Sequence, residues 1–307
     1  MGTNIKVAIL MCTFNGEKYL NEQIESILNQ KNVDVTLYIR DDGSTDKTNE
    51  ILKEYKTKDR RVKIYKDKNI GPARGFLKLL FYVYSKKGYY YDYYSFADQD
   101  DIWFEDKLDV AVQKIENYKK PCLYCGNLIK LKDGIKEGFW FEKKPDLSFI
   151  RHIIGNNVHG CTFVFDNKLA EIIYQGGMPG KKYLTFEYHD SWVALVAIAK
   201  ANIIYDHEAH ILYRLHDSNE VGQRPTFSMI ERKRKYGKYF PFHRVWRNAA
   251  RELSKRYELS DSKKEILYKT MCYNRGIISR INFFKIIKNH YDKSLVDIFL
   301  KILLAYP

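Results

Sequence analysis

The sequence predicts an α/β fold: a mixed, mostly parallel sheet flanked by helices, with a helical C-terminal extension. Three observations carry that expectation. Short apolar runs alternate with amphipathic stretches over residues 6 to 101, each run ends on polar residues, and after about residue 226 the composition turns basic and helical. Lys6 to Met11 reads as a buried parallel strand. Leu20, Ile24, Ile27 and Leu28 follow at helical spacing. Val35 to Ile39 is a second strand, and Ser44 or Thr45 is placed to cap the next helix, which carries Ile51, Leu52 and Tyr55. Val62 to Tyr65 is a third strand. Gly71-Pro72 opens a helix with Leu77, Leu80, Phe81 and Tyr84 on one face. Tyr93 to Ala97 is a fourth strand.

The middle of the chain is less regular. Strand-like runs occur at Cys122 to Leu131, Cys161 to Phe165 and Ile211 to Leu215, and helices are expected near Asn167 to Tyr174 and Asp190 to Ala199. Antiparallel strands are expected to finish the sheet. The division that follows is a sheet domain over 1–225, regular over about 1–108 and less so over about 109–225, and a basic extension over 226–307.

Ligands of open parallel sheets bind beyond the carboxyl ends of the strands. Here those ends carry Thr13-Phe14-Asn15, Asp41-Asp42-Gly43-Ser44 and Asp98-Gln99-Asp100-Asp101. The last cluster offers hard oxygen ligands, which Mg²⁺ or Mn²⁺ takes while sharing its shell with substrate phosphates. The bland alternative is an acidic turn capping a helix that starts near Glu105; its place after an apolar strand, beside two similar clusters, weighs against that. Asp42 and its neighbours can hydrogen-bond a base and ribose. There is no Walker Gly-Lys-Ser/Thr loop and no Gly-x-Gly-x-x-Gly fingerprint, which argues against an ATPase and a dinucleotide enzyme.

With these residues in view, the chain resembles glycosyltransferase family 2, with the GT-A fold. The matching stretches are VAILMCTFNGEKYLNEQIESILNQ from Val7, IRDDGSTD from Ile39, NIGPARG from Asn69, YSFADQDDIWFEDKL from Tyr94, GCTFVFD from Gly160, HDSW from His189 and YRLHDSNEVG from Tyr213. Within the family, the wording around Asp98 and His216 is similar to bacterial rhamnosyltransferases of surface polysaccharide synthesis. The resemblance implies that Thr13, Asn15 and Asp42 line the base and ribose pocket, and that Arg74 meets the nucleotide. It implies that Asp98 and Asp100 hold the metal and the diphosphate, with His216 as a further metal or phosphate contact. Asp190 matches the region of the catalytic base; Glu187 and His189 are its rivals. The implied reaction is inverting transfer of a sugar, dTDP-L-rhamnose being the implied donor and a UDP-hexose the alternative, to a saccharide or lipid-linked acceptor. Transfer of a nucleotidyl group to a sugar phosphate would want a Gly-rich, Lys-containing N-terminal loop, which Thr13 to Glu17 is not.

A net charge of +14 attracts anions. Arg232, Lys233, Arg234, Lys235, Lys238, Arg244, Arg247 and Arg251, interleaved with Tyr236, Tyr239, Phe240, Phe242 and Trp246, suit an anionic membrane surface. Nucleic acid is not the expected partner, because the acidic strand ends would repel it unless metal-loaded. Leu295 to Leu304 is apolar but too short to span a bilayer.

Five cysteines, an odd number, point to free thiols in a reducing compartment. Cys122 and Cys125 would face opposite sides of a strand. His207 and His210 are three apart, one short of a zinc-helix spacing. The start, Met1 to Asn4, runs into a strand with no charged-then-apolar leader, and Lys6 stands where a myristoylation motif needs Ser or Thr. The expected location is the cytoplasm, at the inner face of the cell membrane.

Overall fold

The computed structural model describes residues 5–119, 121–184, 188–216, 242–273 and 275–290. The chain opens β1 (Lys6–Thr13), α1 (Leu20–Leu28), β2 (Asp34–Asp41), α2 (Thr48–Lys58), β3 (Val62–Lys66), α3 (Pro72–Lys87) and β4 (Tyr93–Ala97), the alternation expected. There follow β5 (Ile102–Trp103), α4 (Lys107–Glu116), β6 (Cys122–Lys132), β7 (Ile135–Phe139), α5 (Phe149–Ile153), β8 (Val164–Asp166), α6 (Asn167–Gly176), α7 (Lys181–Leu184), α8 (His189–Lys200) and β9 (Asn202–Leu215). The extension contributes α9 (Phe242–Arg256), α10 (Asp261–Cys272) and α11 (Ile277–Ile287).

Among the described residues nine strands form one sheet, in the order β3-β2-β1-β4-β8-β6-β9-β5, with β7 paired to β6. β1 pairs in parallel with β2 and β4, and β2 with β3. β8 runs antiparallel to both β4 and β6, and β5 antiparallel to β9. β6 and β9 are parallel to each other, so the sheet finishes mixed rather than purely antiparallel.

Strand alternation divides the core in two. Ala8, Leu10, Tyr94, Phe96 and Cys125 pack on one face with α3, α6 and α8. Val7, Ile9, Met11, Tyr93 and Cys122 pack on the other with α1 and α4. Cys122 and Cys125 therefore do face opposite ways, and all five thiols are free. Val245, Trp246, Ala249, Ala250 and Leu253 of α9 join the first cluster, as do Leu267, Phe283 and Ile287. The extension thus shares core with the sheet domain. Any boundary near residue 225 falls outside the described residues.

Three local expectations need correction. Helix α2 starts at Thr48, not beside Ser44: the Ser44 hydroxyl turns back to Asp41, and Asp46 Oδ1 accepts from the Thr48 amide at 3.0 Å. Only Val164–Asp166 of the run from Cys161 is strand; Gly160 to Thr162 form a single 3₁₀ turn. β9 begins nine residues before Ile211, at Asn202, and His207 and His210, whose spacing already spoke against a zinc helix, lie within it.

Candidate active site

The three polar strand ends are knitted into one floor. The Thr13 hydroxyl donates to Asp41 Oδ1 at 3.2 Å, and the Asp42 amide donates to the Thr13 carbonyl at 2.8 Å. The Asn15 amide donates to Ser44 Oγ at 2.9 Å, while its Oδ1 accepts from the Thr45 amide at 2.8 Å. This happens at a left-handed φ of 50°, which Asn tolerates better than most side chains. Gln99 bridges to the first loop, accepting from the Phe14 amide at 3.0 Å and donating to the Phe14 carbonyl at 3.2 Å. The Phe14 ring is left 46% exposed.

Asp42 is buried and ion-paired with Arg40, itself 3% exposed. Its Oδ2 accepts from the amides of Ile70 and Gly71 at 3.1 and 2.9 Å. A carboxylate offers about four acceptor positions. These three donors leave one acceptor position unused. Arg74 sits half-buried in the first turn of α3, with no hydrogen bond or ion pair within the described residues.

Asp98, Asp100 and Asp101 follow β4. Burial, with the charges of Asp100 and Asp190, pushes the Asp98 carboxyl up to about 7. Asp101 is fully buried and also held well above the usual carboxylate range, first by burial and then by its two neighbours. Its Oδ2 has no partner among the described residues. Ligand atoms of Asp98, Asp101 and Cys161 lie within 4.8 Å of one another. Asp100 Oδ2 instead lies 2.9 Å from His216 Nε2. Crowded carboxylates with an orphaned oxygen suit a divalent cation, and the donors are the hard oxygens that Mg²⁺ or Mn²⁺ takes. Among the described residues the acidic turn thus forms two groupings, Asp98 with Asp101 and Cys161, and Asp100 with His216, so the expected set of Asp98, Asp100 and His216 is divided between them.

Asp190 lies in the first turn of α8, one residue inside it and not at the cap, which is Tyr188. Its Oδ2 accepts from Asn156 Nδ2 at 3.1 Å and its Oδ1 from the Ser191 amide at 2.7 Å. Burial raises the carboxyl to about 6 against the pull of these donors. A carboxylate so poised is ionised at neutral pH yet still basic. Its charge reaches Asp98, so the candidate base and the acidic turn share one site. His189 is no rival: it stacks on Phe76 at 3.9 Å, and burial holds it down to about 3. Glu187 lies outside the described residues.

Sequence reasoning missed the supports. Arg214 Nε donates to the Asp100 carbonyl at 3.0 Å, its guanidinium lies over the Tyr19 ring at 4.4 Å, and it pairs with Glu22. Lys107 is buried beneath the acidic turn, bonded to Ser95 Oγ at 3.1 Å, and burial lowers it to about 7. Lys107 stands in a quoted motif, but nothing in local spacing says that it turns inward.

Comparison with known proteins bears on this geometry. The model of glycosyl transferase family 2 matches residues 8–166. The dTDP-rhamnosyl transferase RfbG of Shigella flexneri is 30% identical over 223 residues, covering 71% of this chain and 75% of that protein. The putative teichuronic acid biosynthesis glycosyltransferase TuaG of Bacillus subtilis is 26% identical over 159 residues, 52% of this chain and 60% of that one. Among solved structures, S. aureus TarS 1-349 in complex with UDP-GlcNAc superposes with a TM-score of 0.59 at 18% identity, covering 92% of this chain and 76% of that chain. That likeness is one of fold, the GT-A fold. By its matched residues and its relatives, the chain is a glycosyltransferase and belongs to glycosyl transferase family 2.

Proposed function

We propose that the enzyme is an inverting, metal-dependent transferase that moves L-rhamnose from dTDP-L-rhamnose to a saccharide or lipid-linked acceptor during cell-surface polysaccharide synthesis. One observation carries the mechanism: the buried Asp190 carboxyl, against the Gly160 backbone and raised to about 6, is near enough for its charge to act on Asp98 of the acidic turn. The likeness to RfbG supports the rhamnosyl donor. Thr13, Asn15 and Asp42 take the base and ribose, and Arg74 meets the nucleotide. Asp98, Asp100 and His216 would hold Mg²⁺ or Mn²⁺, which would offset charge on the departing nucleoside diphosphate. Asp190 accepts the proton of the acceptor hydroxyl as its oxygen attacks the anomeric carbon. The bond from that carbon to the diphosphate breaks on the opposite face, its electron pair leaving with the nucleotide, so the anomeric configuration inverts.

Release of nucleoside diphosphate from a panel of nucleotide sugars, with the product's anomeric configuration read by NMR, tests this. Turnover of dTDP-L-rhamnose with inversion is expected. Turnover of UDP-hexoses alone would replace the donor, and retention would overturn the mechanism.

The acceptor's membrane is the proposed working surface. Residues 226–307 hold 19 basic and 7 acidic residues. No helix among the described residues is long and apolar enough to cross a membrane. Arg232 to Lys238 lie outside the described residues. Trp246 is not free for lipid: it is buried, with Nε1 donating to the Ile154 carbonyl at 2.8 Å. Sedimentation with anionic and neutral vesicles checks the proposal, and equal binding to both at any salt would remove it.

A further inference from the structure

The β6–β7 hairpin delivers one tryptophan to the edge of the site. The chain turns at Asp133 and Gly134, with φ of 48° and 81°, and each residue of β7 is exposed on the return. Beyond it the backbone is pinned. The Trp140 amide donates to the Leu128 carbonyl at 2.8 Å. Asn127 donates to the Phe141 carbonyl at 2.8 Å and accepts from the Phe141 amide at 3.0 Å. The Trp140 ring meets His159 at 4.7 Å and Tyr213 at 5.5 Å, tilted 80° and 77° from them. No described ring lies flat on the indole. The other tryptophans, Trp103, Trp192 and Trp246, are 3%, 0% and 6% exposed. Trp140 alone is half-buried.

Its neighbours place it beside the chemistry. His159 precedes Gly160, whose backbone lies against Asp190. The Tyr213 hydroxyl feels the charges of Asp98, Asp100 and Asp101. His159 and Tyr213 also meet each other, ring centroids 5.9 Å apart, so the three rings form one aromatic wall. An aromatic wall beside a base suits a sugar ring, whose C–H faces pack on aromatic rings while its hydroxyls take polar partners; it does not suit the anionic donor diphosphate.

We propose that Trp140, backed by His159 and Tyr213, is the platform on which a pyranose ring of the acceptor lies, its indole N–H donating to a sugar hydroxyl. The assignment to the acceptor rests on Asp190 as the base; the saccharide-binding surface itself does not.

The test uses the fluorescence of the full chain, because Trp140 dominates the fraction open to iodide. Methyl α-L-rhamnopyranoside, methyl β-D-glucopyranoside and N-acetyl-D-glucosamine are the probes, added with dTDP or UDP and Mn²⁺. At least one should lower iodide quenching about two-fold, and Trp140→Phe should remove that change. The same shielding is expected in Asp190→Asn, so a failed mechanism leaves this result standing. With a glycoside that is turned over, Trp140→Ala should raise the acceptor KM about ten-fold and leave the donor KM unchanged, with Trp140→Phe between. Absence of shielding by all three probes while the nucleotide still binds overturns the proposal. So does a Trp140→Ala enzyme that loses only thermal stability and keeps its acceptor KM.

Discussion

The backbone of Gly160 lies directly against Asp190: a Cβ at Gly160 would sit 2.8 Å from the Asp190 Cβ, and 3.1 Å from His189 Nε2. Neither atom is the free end of a flexible chain. Gly160→Ala must therefore push the carboxylate away from the acceptor side of the site. A misplacement of about 1 Å can cost roughly 10²-fold in rate. The expected outcome is a fall of that order in kcat with nucleotide affinity intact, measured by steady-state kinetics and calorimetry. Normal turnover would show that the carboxylate tolerates the shift and does not set the rate.

Asp190→Asn separates the base from the helix. An amide in the first turn of α8 can still accept from the Ser191 amide, but it cannot take a proton. Folding and donor binding should persist while transfer falls roughly 10²–10⁴-fold. In the wild type the active form is ionised, so the rate should rise with pH through about 6 and level off above it. A flat profile from pH 5 to 8 would remove Asp190 from the role.

Stability of the metal-free protein should fall as pH rises above about 6.5. Burial raises Asp98 to about 7 and Asp190 to about 6 in the folded state, against the ordinary 3.8, so these groups bind more protons folded than unfolded and lose stability as pH rises through those values. Below 6.5 the buried His152, His159 and His189, held under their ordinary 6.5, act in the opposite direction, so the decline stands clear only above that pH. Mn²⁺ or Mg²⁺ should restore stability there by compensating the carboxylates. Thermal melts at several pH values, with chelator and with metal, check this. A melting temperature in chelator that rises from pH 6.5 to 7.5 contradicts it.

Loss of Asp42 should act twice. Asp42→Ala strands the Arg40 guanidinium in a buried place, at a cost of roughly 3–5 kcal/mol. Asp42→Asn keeps an acceptor for the Ile70 and Gly71 amides and is the cleaner probe. It should fold and lose roughly 1–3 kcal/mol of dTDP or UDP affinity. Wild-type affinity for both nucleotides in a folded Asp42→Asn would take the residue out of the base pocket.

The first four strands were legible because each is a short apolar run, and a buried parallel strand has no other way to read. Their carboxyl ends were legible because Thr13, Asp42 and Asp98 break those runs with polar groups. The first half of β9 was not: Asp206, His207 and Glu208 interrupt its apolar character at register shifts against β6, where the pleat slips. Cys161 and Lys107 could not be placed beside Asp101, since long-range contacts leave no periodic trace. Trp246 looked like an interfacial aromatic and proved to be core, because α9 turns its apolar face onto the domain.

The hairpin has one more consequence. All five residues of β7 are exposed, and the strand pairs with β6 alone. Changes in its length or in the turn at Asp133 and Gly134 disturb little packing, as expected for a surface connection. Trp140 stands where that excursion rejoins the body. Selection can therefore alter the rim residue by residue while the acidic floor stays as it is, which makes the hairpin an exchangeable part, and grafting it between related enzymes a natural way to alter what they accept.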